Sequence, residues 1–187
     1  MKNNLKTLPI LLVATLMVVG CVDKKPKQEL DSRATEQVEA EDDSTVFGVC
    51  GDGTAMHTLQ VISDAGDTLN YMLNTDGDIV TDVQGGKMVG DRVAVIGIKQ
   101  NEELIAQKVI NLTTLLGKWA SIDKNFEIQE GGSVQSFVAE ESNPWTAWKI
   151  LNGELLLNKD TFSINNLGAD SLCLENGEGI FAFKRQK

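Results

Sequence analysis

Residues 113–122 read TTLLGKWASI. The stretch reads as one helical turn running into a β-strand that contains Gly117-Lys118-Trp119. The residues downstream of it decide the fold class. Short apolar runs recur at spacings of about ten residues, separated by glycine-bearing turns such as LNGE and ENGEG. They predict strands at Phe126–Gln129, Val134–Val138, Trp145–Leu151, Glu154–Leu157, Phe162–Asn165, Ser171–Leu174 and Ile180–Arg185. With the strand at Gly117 that makes eight. An up-and-down meander closing into a barrel is the simplest topology for such a series.

Gly117-x-Trp119 after a helical turn resembles the signature of the lipocalin and wider calycin barrels, and the likeness covers residues 113–187. In that family a late basic residue packs over the signature tryptophan. Phe181, Phe183 and Arg185 alternate and so share a face. The resemblance therefore implies Arg185 over Trp119, closing the barrel through a cation–π contact of about 0.5–2 kcal/mol. It also implies a small apolar ligand. At about 75 residues the module is roughly half the length of a full lipocalin, and its strands are short. An eight-stranded interior is just wide enough to be filled by side chains or to hold one small ligand, and short strands favour filling. The stretch NPWTAWKI places Trp145 and Trp148 on opposite faces of one strand. Both are candidate ligand-binding residues. Trp148 shares its face with Ile150 and is expected to point inward, leaving Trp145 outside or at the rim.

Upstream, residues 45–112 have a similar texture. Predicted strands are Thr45–Cys50, Met56–Ser63, Thr68–Asn74, Asp91–Ile98 and Leu104–Leu112. In the fourth, Val93 and Val95 lie opposite Ala94 and Ile96, so both faces read as buried. Five strands in about 68 residues match an OB-like small barrel. VGDRVAVIGI (89–98) resembles the loop and strand of many such barrels. The fold class is therefore all-β, an OB-like barrel followed by a lipocalin-like one. OB surfaces that bind single-stranded nucleic acid use several aromatic platforms and a positive groove. This module has only Phe47 and Tyr71.

The chain carries a net charge of −10, and no region after its first 21 residues is net basic. That argues against nucleic-acid binding. No nucleophile elbow, His-Glu-x-x-His, Cys-x-x-Cys or phosphate-binding loop is present. TDGD matches only the opening of a calcium loop and reads as a hairpin turn. The lone His57 reads as a surface residue. No catalytic residue, metal ligand or cofactor is expected, and the protein is not expected to be an enzyme. Cys50 and Cys173 could be bridged or could be two buried thiols.

The N-terminus supplies an address. Lys2 and Lys6 precede an apolar run from Leu8 to Val19, and its 12 residues fall short of the ~20 that span a bilayer. This is the pattern of an export signal. The run ends in Val18-Val19-Gly20-Cys21, which resembles the lipobox of bacterial lipoproteins. The resemblance implies a signal peptide over residues 1–20 and a lipid-modified Cys21 acylated by palmitate-type chains. It also implies anchorage to a Gram-negative envelope membrane. Lysines after Cys21 point to the periplasmic face of the outer membrane. Residues 21–44, dense in charge and without aromatics, read as a disordered tether. Two functional expectations result. One is a lipid-anchored envelope protein that binds a small apolar ligand in the second barrel. The other is a protein-interaction or stress-sensing module with filled barrels, its protein partners unspecified by the sequence.

Overall fold

The computed structural model describes residues 43–138 and 142–186. The signal peptide, Cys21 and most of the tether lie outside the described residues. Asp43 and Ser44, read as the last of the tether, are engaged. The backbone N–H and hydroxyl of Ser44 both donate to Asn152 Oδ1, at 3.0 and 3.2 Å.

The first half forms a closed five-stranded barrel. Its strands are β1 (Val46–Cys50), β2 (Thr58–Ser63), β3 (Thr68–Met72), β5 (Arg92–Gln100) and β6 (Glu103–Asn111), with a short β4 (Asp82–Gln84) added to β6. The closed order is β1-β2-β3-β6-β5 and back to β1, and only the β3–β6 pairing inside it is parallel. Leu59, Val61, Tyr71, Val93, Val95, Ala106 and Val109 fill the interior. In β2 and β5 these are the alternate residues that strand periodicity assigns to one face, whereas in β6 Ala106 and Val109 share the interior across a register shift in the β5–β6 pairing. β4 escapes sequence reading because three residues among turns carry no periodic signal.

After a single helical turn, α1 (Leu112–Leu115), the chain forms a nearly closed eight-stranded antiparallel barrel. Its strands are β7 (Gly117–Ala120), β8 (Asn125–Ile128), β9 (Val134–Ser136), β10 (Trp148–Leu151), β11 (Glu154–Leu157), β12 (Asp160–Leu167), β13 (Ser171–Asn176) and β14 (Gly179–Arg185). Sequential strands pair as a meander, and β14 returns to pair with β7. The remaining seam lies between β9 and β10, which are joined by one bridge, Ser133 to Ala147. All eight predicted strands are present. The largest shift of a single boundary is at the fourth, where Trp145 lies outside β10.

The two barrels share a core. Ala94 and Ile110 point out of the first barrel and join the apolar cluster of the second, together with Leu112 and Leu115 of α1. This is why both faces of β5 read as buried. Polar contacts reinforce the joint. Gln84 Oε1 accepts from the Leu167 N–H at 2.9 Å, and the Gly85 N–H donates to the Leu167 carbonyl at 2.9 Å. Gly85 has φ +86°, and a Cβ there would sit 2.9 Å from carbon atoms of both Asn111 and Leu167. Only glycine tolerates both the conformation and the approach.

Candidate functional site: the mouth of the second barrel

The two ends of the second barrel differ. One end is sealed by α1. Asn111 caps the turn by accepting from the Thr114 N–H at 2.9 Å. The carbonyls that the turn leaves unpaired are taken by two side chains. Trp119 Nε1 donates to the Leu115 carbonyl at 2.8 Å. Arg185 donates to the carbonyls of Leu116, at 2.8 Å, and Thr114. The Arg185 guanidinium lies over the fully buried Trp119 ring, 4.1 Å from its centre. Gly117, at φ +117°, leaves the space, because a Cβ there would come within 2.7 Å of Arg185 Nη1. The Gly-x-Trp stretch thus makes a plug.

Above the plug the interior is solid. Phe126, Ile128, Ile164, Leu172 and Leu174 are buried to 2 % exposure or less. Above them lies an edge-to-face aromatic array. Phe126 meets Trp145 at 5.0 Å and Phe183 at 5.1 Å between ring centres, and Trp145 meets Phe162 at 5.7 Å. Such pairs add about 0.5–1.5 kcal/mol each beyond burial.

The opposite end is open. A cavity of about 730 Å³ sits at the mouth, floored by Trp145, Phe162, Phe181 and Phe183. Its rim comes from the β7–β8, β11–β12 and β13–β14 turns and the segment before β10. Ile122, fully exposed, and Ile180 stand on that rim. Asp123, Lys124, Asp160, Glu178 and Lys184 supply its charge. The Lys124 ammonium lies 4.5 Å from the centre of the Trp145 ring.

The structure corrects the expected place of Trp145 and keeps Trp148 on the inner face of its strand, across from Leu157. Trp145, 7 % exposed, points inward as well and floors the mouth. Trp148 is half-buried with Ile150 on one face of β10, and its indole N–H donates to the Gln129 carbonyl at 2.7 Å. Trp148 lines a second cavity, of about 500 Å³, at the seam between the barrels beside Phe47 and Leu116. The physical reason is that strand alternation does not extend back to Trp145. Asn158, in the β11–β12 turn, grips the preceding segment instead. Its Oδ1 accepts from the N–H and hydroxyl of Thr146 and from the Ala147 N–H, at 2.9, 3.1 and 3.1 Å. Its Nδ2 donates to the Pro144 carbonyl at 3.0 Å. This clamp carries Trp145 into the barrel. Sequence reasoning passed over Asn158, although an asparagine at a hairpin corner with φ +57° is a residue type suited to both tasks.

Among the described residues no cluster of three or more His, Cys, Asp or Glu could hold a metal ion. His57 is exposed, ahead of β2. Cys50 and Cys173 are free thiols, Cys50 buried in the first barrel and Cys173 half-buried on β13. Burial, with a smaller push from the Asp91 charge, raises the Cys50 thiol to about 11, so it stays protonated and unreactive at neutral pH. Comparison with known proteins finds no match: no family model, no curated protein and no solved structure.

Proposed function

We propose that this chain is a lipid-anchored cell-envelope protein, non-enzymatic, whose second barrel binds a small apolar molecule at its mouth. The observation that carries the reading is the open cavity floored by Trp145, Phe162, Phe181 and Phe183. Its volume is in the range of small-molecule sites, which are concave, mostly apolar and edged by a few polar groups. The solid interior beneath limits the ligand to a compact group, since a long acyl chain would find no channel below the aromatic floor.

The lipocalin-like reading of this barrel is supported by the sequential meander and by Arg185 stacked on Trp119 beneath α1. The OB-like reading of the first is supported by its closed order with one parallel pair. A fold does not specify a function, so the mouth carries the argument. Lipid attachment at Cys21 rests on the lipobox-like sequence, and the lysines that follow it support an outer-membrane location facing the periplasm. Replacing Cys21 by Ala should release the chain to the soluble envelope fraction and abolish incorporation of labelled palmitate.

The test of binding is native mass spectrometry of the full chain after incubation with a lipid extract of its own envelope. A discrete adduct that disappears in a Trp145→Asp variant of unchanged circular dichroism supports a carrier. A bare mass supports the second reading, a protein-contact module, which the exposed Ile122 and Ile180 favour. In that case the partner should crosslink through the rim.

A further inference from the structure

The mouth is more specific than an apolar bowl. The face of Trp145 that looks into it already carries a cation, the Lys124 ammonium. Lys124 lies over the ring, and both residues line the mouth. Phe181, half-buried beside it, provides a second aromatic wall and meets Phe162 edge-on at 5.9 Å. Around these walls the rim sets three carboxylates, Asp123, Asp160 and Glu178, against the ammonium groups of Lys124 and Lys184. The rim is net acidic, on a chain of net charge −10.

An aromatic face is the negative end of a quadrupole, and partly desolvated cations are held over it more tightly than neutral groups of the same shape. A bound anion would face both the ring and the acidic rim. A neutral apolar group would gain burial alone. We propose that the ligand of the mouth carries an alkylated ammonium group, which replaces the Lys124 ammonium over Trp145 while the rim carboxylates balance its charge. Lys124 is then an internal competitor that covers the ring until the ligand displaces it. This rests on the reading of the mouth as a binding site and names the class of molecule bound there.

The experiment titrates the full chain with choline and with 3,3-dimethylbutan-1-ol, which has the same shape without the charge. Binding is read by isothermal calorimetry and tryptophan emission. The neutral probe N-phenyl-1-naphthylamine serves as a measure of apolar binding. Choline should bind at least tenfold more tightly than the alcohol. Lys124→Met should tighten choline binding by about tenfold, with unchanged circular dichroism, because the competitor is gone. Phe181→Leu should weaken it.

Equal affinity for choline and the alcohol overturns the ammonium assignment and leaves an apolar site. Binding of N-phenyl-1-naphthylamine without choline does the same. Weaker choline binding in Lys124→Met overturns the competitor role, and tight binding of 3,3-dimethylbutanoate lost in that variant would make the mouth an anion site. If none of these compounds binds, the binding reading itself fails.

Discussion

Asn158→Gly is the substitution that isolates what positions Trp145. Glycine keeps the left-handed backbone that Asn158 adopts at φ +57°, and the Asn158 N–H can still donate to the Ala147 carbonyl. What is lost is the side-chain clamp of four hydrogen bonds, three into Oδ1 and one from Nδ2. They lie on the exposed side of the segment, so each is assigned the low end of the range, about 0.5 kcal/mol. Together they hold residues 144–147 against the barrel by about 2 kcal/mol. The loss should be local, since the aromatic array beneath is intact. The reporter is the Val134 amide, which donates to the Thr146 carbonyl at 2.9 Å and does not touch Asn158. Its hydrogen exchange should accelerate by about thirtyfold, the equivalent of 2 kcal/mol at 1.4 kcal/mol per factor of ten. Tryptophan emission should shift to the red as Trp145 leaves the interior. Asn158→Asp, which keeps the acceptor and loses the donor to Pro144, should fall between. An unchanged Val134 exchange rate and unchanged emission in Asn158→Gly would refute the reasoning. The edge-to-face packing of Trp145 would then be sufficient to hold it.

Gly117→Ala should destabilise the fold by about 2 kcal/mol in urea unfolding, because φ +117° and the approach of Arg185 both exclude a Cβ. Glu102→Gly, at the β5–β6 turn, should raise stability by about 0.5–1 kcal/mol. Glu102 sits at φ +69°, and its exposed ion pair with Lys99 contributes little. The buried Cys50 thiol sets an alkaline limit. Its folded value, about 11, exceeds its ordinary value of 9.0, so the unfolded chain releases the proton first as pH rises. The contribution is complete below about 9 and is lost between there and about 11, with Tyr71, also raised by burial, extending the loss. Thermal midpoints measured from pH 7 to pH 11 should therefore fall steadily above pH 9, and Cys50→Ser should flatten the lower part of that slope.

Strand content was legible because alternation is a local property. The runs around Leu59 and Val61, Val93 and Val95, and Phe181 and Phe183 each place alternate residues inside, and turn residues bounded them. The plug was legible through the resemblance carried by Gly117-x-Trp119, to which alternation added that Arg185 shares a face with Phe181 and Phe183. The mouth was not. Trp145 precedes its strand, and its direction is set by Asn158 from the next hairpin, thirteen residues later in sequence. Periodicity applied across that boundary sent Trp145 outward, although within β10 it set Trp148 correctly on the face of Ile150. Burial of both faces of β5 was visible in the sequence, but its cause was not, because the covering residues come from the other barrel.

That cover explains why two barrels form one unit. β10 ends the sheet of the second barrel and pairs as a strand only with β11, so its outer edge would present unpaired backbone groups. Full closure would remove the edge, but β9 is three residues long and reaches β10 through a single bridge. The first barrel fills the role instead. Phe47, Ala94 and Ile110 pack on the cluster that includes Trp148 and Ile150. Lys108 pairs with Glu154 at 3.5 Å, and Ser44 holds Asn152 at the end of the β10–β11 hairpin. The seam is thus flanked by a neighbour and crossed by few hydrogen bonds, among them those from the Val134 N–H to the Thr146 carbonyl and from the Trp148 indole to the Gln129 carbonyl. This division leaves the mouth at the turn end of the second barrel clear of the first, since none of the residues lining that cavity comes from the chain before α1. The first barrel can therefore stabilise the second without obstructing its mouth.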